Sequence, residues 1–319
     1  MIERTEPRAV LEHPVKISEQ NWPEGTEPVV SICCITYNHE HFLVDCLEGF
    51  LRQETSFPVE ILLHDDASTD ATPDIVKRYA EKYPQVIKPI CQKVNQWSQG
   101  KKINPEFNFP RARGEFLALC EGDDYWSDET KLQQQVDCLR ANPAAVICYG
   151  KVIGINQHGA PVENYADGES RDLTAEELKR APSINTSTVC FRNVGIGNPR
   201  ELCLARVEDV TIWSRLGKFG SGIFMAAIKP GGYRLHEGGI FSMKTAAEKE
   251  NMYTETILSL YWFHRQNGDE ASQAYFARKL VKLILAKVDA RVLVSCLFFA
   301  MKRLLSTAVR AFGRCLRMR

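Results

Sequence analysis

The chain has 319 residues, of which 44% are hydrophobic and 25% are charged, a composition typical of a soluble globular protein with one large domain and a smaller module. Lys plus Arg and Asp plus Glu both number 40, so the formal net charge is zero and no overall positive field favours a nucleic-acid partner. The 11 cysteines include no CxxC pair and no Cys/His cluster at zinc-ligand spacing, which indicates free thiols in a reducing compartment.

The N-terminal segment lacks the features of a signal peptide. It begins MIERTEPRAVLEHP, which mixes acids and bases and has no apolar core. No apolar run reaches the roughly 18 residues that a transmembrane helix needs, and the longest candidate, 292–301, is too short. We therefore expect a cytoplasmic protein in which residues 1–27 form an irregular lead-in.

The chain first alternates strands and helices. A continuous β-branched run predicts a buried strand over 29–35, and apolar residues at helical spacing predict a helix from His39. Further strands are predicted over 59–64 and 86–91, the second with its proline either near the strand end or at a sheet edge. Between these two strands, Thr72 followed by a proline predicts an N-cap and the start of a second helix.

The alternation continues to about residue 245. The elements predicted there are a strand over 116–120, a helix over 129–141, a strand over 144–155, a capping-box helix from Thr174, a strand over 187–191 and a helix over 208–217. This order predicts an α/β fold with a mainly parallel sheet covered by helices on both faces. Beyond Ala246 the pattern is wholly helical, so we predict a C-terminal α-helical module over 246–319.

Three polar clusters fall at predicted carboxyl ends of strands, where open parallel sheets bind ligands. They are TYN at 36–38, DDASTD at 65–70 and EGDD at 121–124. The third cluster crowds three carboxylates, and a divalent cation would relieve their repulsion. Because Mg²⁺ and Mn²⁺ take oxygen ligands and complete their coordination with phosphates and water, we predict a site for one of them here. Three nearby histidines are expected to be structural: His39, His41 and His64.

Five segments, in this order, resemble motifs of the family 2 glycosyltransferases, which have the GT-A fold. They are VVSICCITYNHEHFLVDCLEGFLRQ from residue 29, VEILLHDDASTD from 59, GEFLALCEGDDYW from 114, LARVEDVTIWSRLGKFG from 204 and GGYRLHEGG from 231. The resemblance covers about residues 28–243. It implies a GT-A domain over 28–245 with a Rossmann-like mixed, mainly parallel sheet. It also implies a metal-dependent, inverting transfer of one sugar from a nucleotide-diphosphate donor.

The resemblance implies roles for particular residues. Those expected to contact the donor nucleotide are Thr36, Tyr37, Asn38, Asp65, Asp66 and Asp123. Asp66 would bind the base or ribose, and Asp123 would lie near the ribose. Asp124 would ligate the metal that bridges the donor diphosphate, and His236 would complete or support that site. Asp209 would be the general base that takes the proton of the acceptor hydroxyl.

The chain departs from the family pattern at two positions. Ala67 stands where the family turn often has glycine, and Glu121 replaces the commoner aspartate at the start of the acidic motif, so no role for Glu121 follows. The absence of a Q-x-x-R-W motif and of multiple membrane spans disfavours a processive synthase. The implied acceptor is a hydroxyl of a glycan or of a lipid-linked acceptor, in bacterial surface-polysaccharide synthesis.

Two alternatives remain open. A sugar-phosphate nucleotidyltransferase would also bind a nucleotide and Mg²⁺ on an α/β sheet. It would typically have a glycine-rich loop with a basic residue after the first strand, where this chain has TYNHEHF. A non-catalytic sugar-nucleotide or membrane-binding module would keep donor binding but would have no need of Asp209.

The C-terminal end of the chain is locally basic. Asp289 is the only acid after Glu270, whereas Lys and Arg recur to the last residue. From about Ala290 a predicted helix gathers apolar residues close to one face. This helix would either pack on the catalytic domain or lie on the anionic inner face of the plasma membrane, and the sequence leaves both interpretations open.

Overall fold

The computed structural model describes residues 9–163, 165, 168–239 and 244–287. Its strands are β1 (Val15–Lys16), β2 (Val30–Thr36), β3 (Glu54–Thr55), β4 (Val59–Asp65), β5 (Ile87–Cys91), β6 (Phe116–Glu121), β7 (Ala145–Tyr149), β8 (Val152–Asn156), β9 (Cys190–Arg192), β10 (Ser221–Phe224) and β11 (Gly231–Leu235). Its α-helices are α1 (Leu43–Leu51), α2 (Thr72–Lys82), α3 (Lys131–Ala141), α4 (Ala175–Lys179), α5 (Glu208–Leu216), α6 (Ala246–Gln266) and α7 (Glu270–Lys287).

Seven of the strands form the central sheet, in the order β10-β7-β9-β6-β2-β4-β5. Neighbouring strands pair in parallel except at β9, which is antiparallel to both β6 and β7. Strand β5 contains Pro89 and lies at one edge of the sheet, which is one of the two positions that its proline predicted. The predicted α/β fold with a mixed, mainly parallel sheet is confirmed.

Strand β2 shows how both faces of the sheet are buried. Ile32 and Cys34 belong to a hydrophobic cluster that includes residues of α1, α2 and α3. Cys33 between them points to the opposite face, where it belongs to a second cluster that contains Trp213 of α5. A strand covered on both faces favours apolar side chains at successive positions, which explains the run ICCI, and the buried Ser31 before it has its hydroxyl bonded to Glu60.

The strand predicted over 144–155 is two strands in different sheets. Strand β7 ends at Tyr149 in the central sheet, whereas β8 pairs in parallel with β11 in a separate two-stranded unit, the β8–β11 ribbon. Both strands are rich in apolar residues, and only Gly150 and Lys151 separate them. The prediction was wrong because an apolar run has the same appearance whether or not it changes sheet partners.

The start of α2 also differs from the prediction. Thr72 is the first residue of the helix rather than its cap, and its Oγ1 accepts a hydrogen bond from the backbone amide of His39 at 2.9 Å. Asp70 instead accepts from the backbone amide of Thr72 at 2.9 Å. The predicted capping box at α4 is confirmed, because Thr174 and Glu177 each accept a hydrogen bond from the other's backbone amide.

The two C-terminal helices pack on the sheet domain. Ile257 and Leu260 of α6 and Phe276 of α7 belong to the second hydrophobic cluster, together with residues of the central sheet. Ser214 of α5 also contacts α6, since its Oγ lies 2.8 Å from Nε2 of His264. The predicted division of the chain into two modules remains a prediction.

Beyond these contacts, the last turns of α7 carry apolar side chains on the surface. Val281, Ile284 and Leu285 are 53%, 55% and 46% exposed. Among the described helices, none combines the length and the apolar character that crossing a membrane requires. The basic amphipathic helix predicted from about residue 290 lies outside the described residues.

Candidate active site

The carboxyl ends of β6, β2 and β4 meet at one edge of the sheet, as their parallel pairing requires. Backbone hydrogen bonds join the loops that follow them. The amide of Asp66 donates to the carbonyl of Thr36 at 3.0 Å, and the amide of Gly122 donates to the carbonyl of Ile35 at 2.8 Å. The three predicted polar clusters therefore form one continuous rim.

The first loop of the rim contains Tyr37 and Asn38 and delays the start of α1 to Leu43. Asn38 has a positive φ of 55°, and its side-chain oxygen accepts from the backbone amide of Thr69 at 2.8 Å. Its own amide donates to Ser68 Oγ, also at 2.8 Å. These bonds fasten the first loop to the second, while Tyr37 remains 37% exposed at the surface of the rim.

Asp65 and Asp66 both have partners within the protein. Asp65 accepts from the hydroxyl and the amide of Ser68, and burial raises the pKa of its carboxyl. Asp66 is buried, and its two carboxylate oxygens accept from the backbone amides of Gln96 and Trp97 at 2.7 and 3.0 Å. The carboxylate of Asp66 therefore holds the 95–97 segment in place, and a direct contact with the donor remains a prediction.

The acidic loop after β6 points its two aspartates in different directions. Asp123 Oδ2 lies 3.0 Å from His236 Nε2 and 3.7 Å from His39 Nε2. Asp124 is buried and accepts from the backbone amide of Arg234 at 2.9 Å. The structure thus brings Asp123, rather than the predicted ligand Asp124, together with His236.

His39, Asp123 and His236 form the one group in the described part of the chain that could hold a metal ion with three side chains. Their candidate ligand atoms all lie within 4.8 Å of one another. One carboxylate oxygen and two imidazole nitrogens suit a divalent transition metal. The site also has buried polar atoms without a hydrogen-bond partner, Thr36 Oγ1 and His39 Nδ1. The residues present therefore fit the cation that the sequence predicts.

Arg234 of β11 connects the acidic loop to two other segments. Its Nε donates to the carbonyl of Asp123 at 2.9 Å, and its guanidinium also reaches Asp45 of α1 at 3.2 Å. The guanidinium carbon lies 4.7 Å from the ring centre of Phe42, a cation–π distance. Arg234 is buried, so the β8–β11 ribbon fixes the backbone of the acidic loop through a charged group shielded from water.

Asp209, the predicted general base, lies in the first turn of α5 beside Glu208. Burial raises the pKa of Asp209 to about 6, although hydrogen bonds from the Val210 amide at 2.8 Å and the Thr186 hydroxyl at 3.4 Å oppose the rise. Burial raises the pKa of Glu208 to about 7 against the positive charges of Lys102 and Arg215. Asp209 thus has no cationic partner among the groups that set its pKa.

Glu121 at the end of β6 is the acid for which the sequence predicted no role. Burial, together with the negative charges of Asp123 and Asp209, raises its pKa to about 8. Asp209 accepts a hydrogen bond from Thr186, in the turn that packs against β6, so the first turn of α5 lies close to the acidic loop. Glu121 therefore carries a proton for much of the time at neutral pH, which lowers the repulsion within the loop.

The sequence predicted Asp123, His236 and Asp209 as site residues, and the structure places all three around the acidic loop. Two other residues of the site were not predicted from the sequence. His39 was expected to be structural, and no role was predicted for Arg234. The signal for His39 was its position directly after TYN at a strand end. No signal marked Arg234, because its contacts depend on how β11 lies against α1.

Comparisons with known proteins agree with this description. A sequence profile for glycosyl transferase family 2 matches residues 31–195. Uncharacterised proteins of Mycobacterium tuberculosis and Mycobacterium bovis are 42% identical over 164 residues, which are 51% of this chain and 46% of theirs. A Bacillus subtilis protein provisionally named as the teichuronic acid biosynthesis glycosyltransferase TuaG is 26% identical over 234 residues, 73% of this chain and 88% of that protein. The chain thus spans about half the length of the mycobacterial relatives.

Among solved structures, the chain is similar to the mannosyltransferase PcManGT of Pyrobaculum calidifontis, solved with GDP-Man and Mn²⁺. The TM-score is 0.51 at 15% identity, and the match covers 93% of this chain and 84% of the other. At this identity the likeness shows the fold alone, and it confirms the predicted GT-A arrangement. The family profile includes the three strand ends and the acidic loop, whereas Asp209 and His236 lie beyond it.

Proposed function

Because this chain belongs to glycosyltransferase family 2, we propose that it moves a single sugar from a nucleotide-diphosphate sugar to a hydroxyl of a glycan or lipid-linked acceptor. The transfer depends on a divalent cation and inverts the anomeric centre. The observation that carries the proposal is the pairing of Asp123 with His236 at the strand ends, beside an acid cluster that includes the half-buried Asp209.

Asp123 and His236 hold the cation in this proposal. When bound, a divalent ion supplies positive charge that offsets the charge developing on the diphosphate leaving group. The chain's own residues would hold that ion in place, because Arg234 holds the backbone of Asp123 and His236 directly follows β11 of the ribbon. Glu121 begins the same loop, and its raised pKa limits the negative charge there when no ion is bound.

Asp209 is the general base. A carboxyl with a pKa of about 6 is ionised at neutral pH and still accepts a proton more readily than an exposed aspartate does. The hydroxyl of Thr186 and the amide of Val210 orient it. A single displacement with one base inverts the anomeric centre, so no carboxylate nucleophile is needed.

The donor nucleotide lies along the rim in this proposal, against Thr36, Tyr37 and Asn38. Tyr37 has an exposed aromatic side chain on which a base can stack. Asp65 and Asp66 act mainly by shaping the second loop, and Asp66 keeps the 95–97 segment against the rim.

The setting that we propose is bacterial surface-polysaccharide synthesis, which the name of the B. subtilis relative supports.

An anionic membrane surface is the further partner. It is supported by the exposed apolar residues Val281, Ile284 and Leu285 of α7 and by the lack of acids other than Asp289 after Glu270. We expect the protein to float with vesicles that contain phosphatidylglycerol but not with phosphatidylcholine vesicles. Val281→Glu combined with Ile284→Glu should abolish flotation, and binding that the double variant leaves unchanged would contradict this part of the proposal.

The donor is tested by thermal stability with UDP-, GDP- and dTDP-sugars, each with and without Mn²⁺. One donor should raise Tm by a few degrees in a Mn²⁺-dependent way, because a ligand at 100 times its Kd contributes about 2.7 kcal/mol. Asp209→Asn should keep this rise and Asp123→Asn should lose it. A protein that none of the nucleotide sugars stabilises, with or without Mn²⁺, would overturn the proposal.

Transfer itself is measured as release of the nucleoside diphosphate in the presence of acceptor glycans. Asp209→Asn should lower kcat by about 10²- to 10⁴-fold while donor binding persists. Asp74→Asn is the matched control, because Asp74 is also an acid in the first turn of a helix but is exposed. Unchanged turnover in Asp209→Asn would remove Asp209 from the role of base.

A further inference from the structure

We propose that His39 is a third protein ligand of the divalent cation, and that the set of His39, Asp123 and His236 selects Mn²⁺ over Mg²⁺. The inference rests on the proposed function for what the cation does, and on geometry for where it binds. The candidate ligand atoms of the three residues lie within 4.8 Å of one another. His39 was not among the residues expected to hold the metal.

The backbone of His39 is fixed from both sides. Its amide donates to Thr72 Oγ1 at 2.9 Å, and the residue before it, Asn38, has a φ of 55° that is stabilised by hydrogen bonds to the second loop. This positive φ turns the chain at the end of β2 so that His39 faces the acidic loop. Its place in the site is therefore set by the protein fold and does not depend on a bound ion.

The ring of His39 is held equally closely. It meets the ring of His236 edge-on with centroids 5.7 Å apart, and its side chain is 12% exposed. A Cβ on Gly122 would lie 3.1 Å from His39 Nδ1 and 2.8 Å from Thr36 Oγ1, so the glycine at this position leaves room for the ring. The acidic loop thus approaches His39 through the one residue type that permits the contact.

The hydrogen-bonding state of His39 points to a missing partner. A buried imidazole in a purely structural role normally has at least one nitrogen in a hydrogen bond. Here Nδ1 is buried without a partner, and Nε2 faces Asp123 Oδ2 at 3.7 Å, beyond hydrogen-bond distance. His236 differs, because its Nε2 is 3.0 Å from the same oxygen. A cation between the three side chains would give His39 Nε2 the partner that it lacks.

The composition of the set decides which cation fits. Mg²⁺ prefers oxygen ligands in near-ideal octahedral geometry and is rarely held by imidazoles, whereas Mn²⁺ accepts both nitrogen and oxygen ligands. Two imidazoles and one carboxylate leave further positions of a six-coordinate ion for diphosphate oxygens and water. The protein should therefore bind Mn²⁺ before any nucleotide is present, and it should bind Mg²⁺ far more weakly.

The direct test is Mn²⁺ titration of the nucleotide-free full chain, followed by electron paramagnetic resonance of the free ion. Wild type should bind one Mn²⁺, and His39→Ala should weaken binding by at least about tenfold. His236→Ala should do the same. His41→Ala is the matched control, because its ring is 80% exposed only two residues along the chain and should leave the affinity unchanged. Equal Mn²⁺ affinity in His39→Ala and wild type would overturn the inference.

A second measurement guards against a variant that merely folds badly. Electron spin echo modulation of bound Mn²⁺ should show two coordinated imidazole nitrogens in wild type and one in His39→Ala, and excess Mg²⁺ should displace little Mn²⁺ from wild type. A single coordinated imidazole nitrogen in wild type would also overturn the inference, as would displacement of Mn²⁺ by equimolar Mg²⁺. Because no donor is present, Mn²⁺ binding with two nitrogens would stand even if no nucleotide sugar bound. Conversely, if a nucleotide sugar bound and His39→Ala had the Mn²⁺ affinity of wild type, the inference about His39 would fail but the proposed function would stand.

Discussion

Asp209 lies in the first turn of α5, where burial raises the pKa of its carboxyl to about 6. A base works only when it is unprotonated, so kcat/KM should be level above about pH 7 and should fall about tenfold per pH unit below pH 6. The measurement is a pH profile at saturating Mn²⁺, with ion occupancy checked by electron paramagnetic resonance at each pH. A rate that stays level down to pH 5 with full occupancy would rule out Asp209 as the titrating base.

The raised pKa of Asp209 also predicts how the stability of the folded chain depends on pH. The pKa of Asp209 is higher in the folded chain, at about 6, than the unperturbed value of 3.8. The ionised carboxylate therefore destabilises the folded state at neutral pH, and this cost disappears as the pH falls below 4. Asp209→Asn should raise the free energy of unfolding by about 1–3 kcal/mol at pH 7.5. It should change little at pH 4.

Chemical denaturation at the two pH values measures this difference. Asp74→Asn, which removes an exposed first-turn acid in α2, should not reproduce the gain at pH 7.5. If Asp209→Asn were destabilising at pH 7.5, the carboxylate would be contributing bonds that outweigh its burial. The gain expected in Asp209→Asn comes together with loss of turnover, as is common for residues that serve activity at the expense of stability.

At the scale of single residues, the sequence identified the acidic loop but not the direction of its side chains. EGDD is visible at the end of an apolar run, yet Asp123 and Asp124 are equivalent by spacing. The turn from Glu121 to Asp124, closed by a backbone hydrogen bond of 3.1 Å, sends Asp123 towards His236 and Asp124 towards the amide of Arg234. That choice depends on backbone dihedral angles and on β11, which lies 110 residues away in the chain.

Among the elements, the β8–β11 ribbon makes the largest contribution to the site, because β11 contains Arg234 and leads directly into His236. Replacing Arg234 with Gln removes a buried charge but leaves the carbonyls of Asp123 and Gln157 without a charged donor. We expect Arg234→Gln to lower the free energy of unfolding by about 2–4 kcal/mol. Mn²⁺ affinity should fall as well, because the acidic loop loses its anchor.

Asp45→Asn is the control for Arg234→Gln. The side chain of Asp45 is 62% exposed and pairs with the same guanidinium at 3.2 Å, so its loss should cost less than about 1 kcal/mol. Urea denaturation and Mn²⁺ titration of both variants measure the two effects. Normal Mn²⁺ affinity in a folded Arg234→Gln protein would show that the ribbon does not position the loop through this residue.

Element prediction succeeded where one pattern corresponds to one environment. Strands β2, β4 and β6 are buried on both faces, so their apolar runs were readily identified. The capping box at Thr174 is equally local, since both of its partners are within four residues. The break between β7 and β8 was missed because it depends on which distant strands pair with each half, and Thr72 was misassigned because its hydroxyl bonds a residue outside its own helix.

Across the whole molecule, α7 is joined to the central sheet through the second hydrophobic cluster. Phe276 is fully buried there, so Phe276→Ala should lower the free energy of unfolding by about 3–5 kcal/mol. Because that cluster includes sheet residues such as Leu117 and Leu119, we expect one cooperative transition that involves both the sheet and the helices. The measurement is urea denaturation, followed by tryptophan fluorescence and by far-ultraviolet circular dichroism.

The matched variant for Phe276→Ala is Trp262→Ala on α6, whose side chain is 42% exposed and should contribute much less. Two separated transitions in wild type would instead favour an independent C-terminal module. The sequence placed a boundary before α6 because the pattern there becomes wholly helical. It could not reveal that α6 and α7 bury residues in the core of the sheet domain, because the apolar face of a helix does not indicate which surface packs against it.

The long separation between Asp123 and His236, 113 residues along the chain, has a consequence for biosynthesis. During translation the acidic loop emerges well before β11, and the pairing of β11 with β8 closes a long crossover connection, which is a slow type of contact to form. A nascent chain can therefore complete much of its sheet while the proposed metal site is still incomplete. Asp123 and His236 come together only after the ribbon has closed, so we expect a partly synthesised chain not to bind a metal ion through both residues.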